Sequence, residues 1–250
     1  MRRFALFFLI CFGLIGGLIW QTPLSFVLRQ SGLASAGVSW TQARGSIWNG
    51  QVTDLSVQQR RIGAFDLKLR PYSLLSGSLA YDAKWIGAFG QGTGRISANT
   101  QRFISEDVSL SISLSDIPDL IEELKQVDGT FRMNEAKVQW ERFDGCEAAS
   151  GRLQTDLVRL LGHRMQKDWP ELTGNLSCDN GELVATLSGV SAQDETFDIE
   201  LYIAPQMPVR YNANISGVSP DIQNALALYG FKFENGAYTL YGDSLGGNAH

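Results

Sequence analysis

From Gly37 onward this chain alternates apolar and polar residues so persistently that β-strand is the only regular element most of it can form. Successive side chains of a strand point to opposite faces, so a period of two builds one apolar and one polar surface. The cleanest run is Val108-Ser109-Leu110-Ser111-Ile112-Ser113-Leu114. Phe197-Asp198-Ile199-Glu200-Leu201-Tyr202-Ile203 repeats it with charges on the outward face, and the stretch from Val209 to Ile215 follows suit. Leu79, Tyr81, Ala83 and Trp85 share one face of another strand, as do Phe65, Leu67 and Leu69. Strands with one wet face belong to antiparallel sheet, because parallel strands are buried on both sides and read as unbroken apolar runs.

Glycine supplies the corners. The chain has 26, many of them between alternating runs. Asn180-Gly181 and Asn235-Gly236 have the composition of two-residue hairpin loops, whose central positions need positive φ. Gly90-Gln91-Gly92-Thr93-Gly94 superficially resembles a phosphate loop, but its spacing is wrong and no helix follows, so it reads as a turn between strands. Helical stretches are few. One covers about Ile117 to Lys125, with an apolar stripe at Ile117, Leu120, Ile121 and Leu124. A second opens at Ser219-Pro220-Asp221 and runs to about Tyr229, with Ile222, Leu226 and Leu228 as its apolar side. Thr155 to Leu161 fits either a helix or a strand. The expected fold is mainly β, a curved antiparallel sheet with a few short helices over residues 37–250, and no Pro/Ser/Gly linker divides it.

The N-terminus breaks the pattern. Arg2 and Arg3 precede an apolar run from Phe4 to Trp20, 17 residues, or about 25 Å as a helix. Leu24, Phe26, Val27 and Leu28 prolong its character beyond Gln21-Thr22-Pro23. Such a run approaches the ~30 Å hydrocarbon core of a bilayer, and arginines on its short side orient that end to the cytoplasm. The expectation is a transmembrane signal-anchor over residues 4–28, with residues 1–3 cytoplasmic and residues 37–250 in the periplasm, on a single-pass protein of a bacterial inner membrane. A cleavable leader is the alternative, although Ala34-Ser35-Ala36 lies far beyond Trp20 for an ordinary cleavage site.

Twenty-one basic residues against 26 acidic ones give a net charge of −5 with no block of either sign. A nucleic-acid binder needs a basic stripe to neutralise phosphates, so that class of partner is excluded. Histidines number two, His163 and His250, and neither has the spaced partners that a zinc site or a Ser-His-Asp triad requires. Glu122-Glu123 reads as a solvated helix face. No catalytic, cofactor-binding or metal-binding residue is therefore assigned, and the chain reads as non-enzymatic. Cys146 and Cys178 form the only cysteine pair outside the apolar run, since Cys11 lies within it. In an oxidising compartment such a pair reads first as a disulfide and second as two free thiols. Trp40, Trp48, Trp85 and Trp140 fall mostly on apolar faces, where they fill a core or line an open groove.

The stretch from Val38 to Val52, with Gly45-Ser46-Ile47-Trp48-Asn49-Gly50 at its centre, resembles the A-x-G-T-[LV]-W-x-G-x-A pattern of type II secretion system protein N. Phe65-Asp66-Leu67-Lys68-Leu69-Arg70-Pro71-Tyr72-Ser73-Leu74-Leu75-Ser76-Gly77-Ser78-Leu79 is similar to that family's strand leading into P-x-x-L-L-x-G-x-L. Gly174-Asn175-Leu176-Ser177-Cys178-Asp179-Asn180-Gly181-Glu182-Leu183 resembles its later G-x-L-x-C-x-x-G-x-L, with Cys146 implied as the disulfide partner. Ser46 stands where threonine is usual, and no tryptophan occupies the strand before Pro71. The resemblance marks Gly45, Trp48, Gly50, Pro71, Leu74, Leu75 and Gly77 as family positions. It implies an inner-membrane accessory protein of the general secretion pathway that supports export of folded proteins through contacts with other secretion subunits. The family is distantly similar to AsmA-like proteins, which implies the alternative of a β-groove that binds a lipid ligand or moves it between membranes.

Overall fold

The protein is described by a computed structural model over residues 21–57, 60–116, 127–142, 144–204, 207, 209–228 and 230–243. The apolar run from Phe4 to Trp20 and the helix expected at 117–125 lie outside the described residues. Among the described residues, no helix is long and apolar enough to cross a membrane. Fifteen strands occur among them, antiparallel wherever a register is defined. The chain divides into two compact units, Met1–Ser97 and Ala98–His250.

The first unit holds helix α1 (Leu24–Gln30) and strands β1 (Val38–Ser39), β2 (Gln42–Gly45), β3 (Asn49–Val57), β4 (Arg60–Leu69), β5 (Leu79–Gly87) and β6 (Gly90–Ala98), the last ending at the division. Strand order is β1-β3-β4-β5-β6, with β2 also paired to β3. Registers put Val52, Phe65 and Trp85 in one cross-strand row and Gly50, Leu67 and Ala83 in the next, so the faces read from alternation are the faces that form. Gly90, Gly92 and Gly94 do not make the expected turn. They lie inside β6, because the shorter Ala88-Phe89 turn precedes them and the Phe89 ring packs on Trp85 at 5.3 Å.

The second unit holds β7 (Arg102–Ser113), β8 (Thr130–Glu141), β9 (Gly145–Thr155), α2 (Leu157–Arg164), β10 (Leu172–Asp179), β11 (Glu182–Val190), β12 (Thr196–Ile203), β13 (Arg210–Ser216), α3 (Pro220–Leu228), β14 (Lys232–Glu234) and β15 (Ala237–Asp243). Its order, β7-β8-β9-β10-β11-β12-β13-β15-β14, is a meander apart from the last two strands. Both Asn-Gly hairpins form, with φ of 49° and 79° at Asn180 and Gly181 and of 52° and 87° at Asn235 and Gly236. The ambiguous stretch after Thr155 divides: β9 ends at Thr155 and α2 begins at Leu157.

One apolar row crosses eight strands of this unit, running Leu110, Met133, Leu153, Gly174, Leu187, Ile199, Ala213 and Leu240. At one end of the strands Val158 from α2, Trp169, and Ile222 and Leu226 from α3 cover this face and bury Leu153, Leu172, Leu187 and Phe197. Away from those helices Leu183, Leu201, Ile203 and Tyr211 are half-buried. The disulfide between Cys146 and Cys178 joins the start of β9 to the end of β10, with Cα atoms 5.5 Å apart.

Candidate functional site

The family positions gather at one end of the first unit, where the β2–β3 hairpin, the turn after β4 and the chain entering α1 meet. Gly45 and Gly50 pair directly across the β2–β3 hairpin. Gly45 has φ of +83°, and a Cβ there would overlap the carbonyl oxygen of Asn49. Gly50 serves a different need. A Cβ on it would stand 2.5 Å from Leu24 Cδ2 and 2.9 Å from the Ser46 oxygen, so its bare backbone is what lets α1 lie on the hairpin. Leu24 is buried at that contact. The chain entering α1 is tied to the same turn, since Ile47 N donates to Thr22 O at 3.2 Å and Pro23 bridges to Ser46.

Trp48 closes the hairpin half-buried, and its carbonyl accepts from Leu69 N at 2.9 Å. That bond places the end of β4 beside the hairpin, and with it the Pro71–Ser76 3-10 turn that follows. Proline suits this start because its fixed φ fits the first turn and its missing N–H leaves no orphan. The turn is braced from within by serine. Ser73 Oγ donates to Arg70 O at 2.7 Å and accepts from Ala80 N at 3.0 Å, while Ser76 Oγ donates to Ser73 O at 2.8 Å. Gly77 ends it in the left-handed region at φ +70°. Beneath, Leu69 is buried and lies opposite Tyr81, whose phenol pKa is pushed above its ordinary value by burial.

The serines satisfy the polar backbone inward, and the apolar side chains are left outward. Tyr72 is 84% exposed and Leu75 88%, with Leu74 and Leu79 also exposed. Large apolar groups held out on a braced turn are suited to contact and to no chemical step. The structure thus brings Gly45, Trp48, Gly50, Pro71, Leu74, Leu75 and Gly77 to one end of the sheet. It places Cys146 and Cys178 in the other unit, as a bonded pair. Sequence reasoning missed Leu24 as the partner of Gly50, and missed Tyr72. The signal for Tyr72 was present: three large apolar residues interrupt a serine-rich turn, where burial is not available.

Elsewhere the chemistry is sparse. A depression of about 280 Å³ in the first unit is lined by Ser39, Trp40, Thr41, Asp54, Ser56 and Arg61. His163 is exposed in the last turn of α2. No group of three or more histidine, cysteine or carboxylate side chains positioned for a metal occurs among the described residues.

A family model described as Type II secretion system (T2SS), protein N matches residues 36–241, most of the chain. Neither a curated protein nor a solved structure matches it.

Proposed function

The chain belongs to the type II secretion system protein N family, and from that membership we propose that it is a non-enzymatic accessory component supporting export of folded proteins through contacts with other secretion subunits. The family match over residues 36–241 carries this reading. In the proposal residues 4–28 hold the chain in the inner membrane with the N-terminus cytoplasmic, and residues 37–250 work in the periplasm. Arg2 and Arg3 before the apolar run support that orientation, and the disulfide agrees with an oxidising compartment. The test is removal of this chain alone from a strain with an intact secretion system. Folded substrates are then expected to accumulate in the periplasm while their export across the inner membrane continues. Unchanged secretion under all substrate loads would contradict the proposal.

The apolar row across β7 to β15 favours a second reading, an AsmA-like surface for lipid acyl chains. Its support is that the face runs on past the helices that cover one end, with Leu183, Leu201 and Ile203 half-buried there. Leu110→Glu and Ile112→Glu discriminate. A folded domain that no longer retains co-purifying lipid supports the groove, whereas plain unfolding identifies the face as core.

A further inference from the structure

We propose that the braced turn Pro71–Ser76 is a second membrane contact, seating Tyr72 and Leu75 in the interfacial layer of the periplasmic leaflet beside the N-terminal anchor. The proposal rests on the anchor reading given above and adds to it a site on the folded domain.

Trp20 ends the apolar run, and only two residues later Thr22 is hydrogen-bonded to Ile47 in the β2–β3 turn. From that turn β3 leads away and β4 returns, ending at Leu69 against Trp48. The 3-10 turn therefore opens within about two strand spacings, roughly 10 Å, of the hairpin to which the anchor's exit is tied. The far end of β5, at Gly87, is eight residues along the strand from Leu79, about 27 Å away. A domain held at Thr22 has its Tyr72 end near the bilayer and its Ala88 end far from it.

Chemistry makes the same assignment. Tyr72 and Leu75, at 84% and 88% exposure, have no apolar cover in the fold. No residue from Pro71 to Leu79 carries a charge, so seating this turn buries none. The Ser73, Ser76 and Ser78 hydroxyls bond within the turn, to Arg70 O, Ser73 O and one another, rather than reaching outward. A tyrosine with an apolar body and a polar tip suits the headgroup boundary. Leucine beside it supplies apolar area for the acyl edge, as in shallow interfacial binding. Arg70 does not oppose this, being paired with Asp82 at 3.4 Å.

The test uses the full chain with Cys11→Ser, reconstituted in phospholipid vesicles containing a lipid spin-labelled near its headgroup. Single cysteines at Leu18→Cys, Leu75→Cys and Ala88→Cys are labelled with an environment-sensitive fluorophore, the Cys146–Cys178 disulfide being left intact. The expected result is lipid quenching at positions 18 and 75 and none at 88, with position 75 quenched more strongly by the headgroup-proximal label than by one at the acyl terminus. Quenching at 18 without quenching at 75 overturns the turn's membrane contact and leaves the anchor standing. Absence of quenching at 18 overturns the anchor and the proposal with it. Equal quenching at 75 and 88 also overturns it, since the domain would then lie flat on the lipid. Circular dichroism of the Leu75→Cys chain, a change at an exposed position, confirms that folding is retained.

Discussion

At the scale of single residues, the glycines around the β2–β3 hairpin and the Pro71–Ser76 turn separate two physical demands that sequence alone runs together. Gly45 and Gly77 both need positive φ, at +83° and +70°. Around Gly77 an added Cβ meets nothing within 4 Å, whereas at Gly45 it overlaps Asn49 O. Gly77→Ala is therefore expected to cost only the left-handed strain, about 1 kcal/mol. Gly45→Ala adds overpacking to the same strain and should cost roughly 3 kcal/mol. Denaturant unfolding followed by tryptophan fluorescence checks the pair, and equal losses would show that the close approach is not real. The cysteines make a second case. Their separation of 32 residues corresponds to about 3–4 kcal/mol of loop-closure entropy, so Cys146→Ser with Cys178→Ser should lower stability by that order. Alkylation of both thiols in unreduced wild-type protein would contradict the bond itself. Both cysteines and the glycine positions were legible in the sequence as residue types. The reason for Gly50 was not, because it depends on Leu24, which alternation and hydropathy assign to the apolar N-terminal segment.

Elements were the more legible scale. Period two located most strands, and the two Asn-Gly dipeptides located their hairpins, because each signal is local and each has its own backbone chemistry. What alternation could not reveal was its own interruptions. Asp107 and Glu135 take positive φ at 53° each, and register shifts there let β7 and β8 each accommodate one extra residue. The bulge in β8 explains why Met133 and Ala136, three residues apart, both belong to the core face. An acidic residue at a bulge leaves no periodic trace. The consequence is testable at Ala136, which is 1% exposed. Gly151 approaches it so closely that a Cβ on Gly151 would stand 2.8 Å away, with Leu176 behind. Ala136→Leu should destabilise the second unit by about 1–3 kcal/mol through overpacking, visible as a lowered melting temperature. A neutral result would mean that the bulge places the face differently. The Gly90–Gly94 run fails for the opposite reason: glycine count implied a turn, but the tighter Ala88-Phe89 reversal and the Trp85–Phe89 contact take that role.

For the whole molecule, the sequence carried the mainly β, antiparallel architecture and the family, while the division at Ser97 and Ala98 had no compositional mark. Such a division is set by which strands contact which, a non-local property that no linker announces here. The positions marked by the family resemblance and the disulfide fall in different units. Tyr72→Ser with Leu75→Ser removes exposed apolar area and should leave thermal stability within about 0.5 kcal/mol of the parent; a large loss would mean that these side chains are packed. The proposed function makes this chain a working part of the type II secretion apparatus. Its most direct measurement is cross-linking of the full chain in intact cells, followed by purification from solubilised membranes and identification of the bound proteins. Covalent adducts with inner-membrane subunits of the secretion system are expected, reduced in a strain that lacks those subunits. Recovery of the chain without any secretion subunit, from cells in which the apparatus is assembled and active, would contradict it.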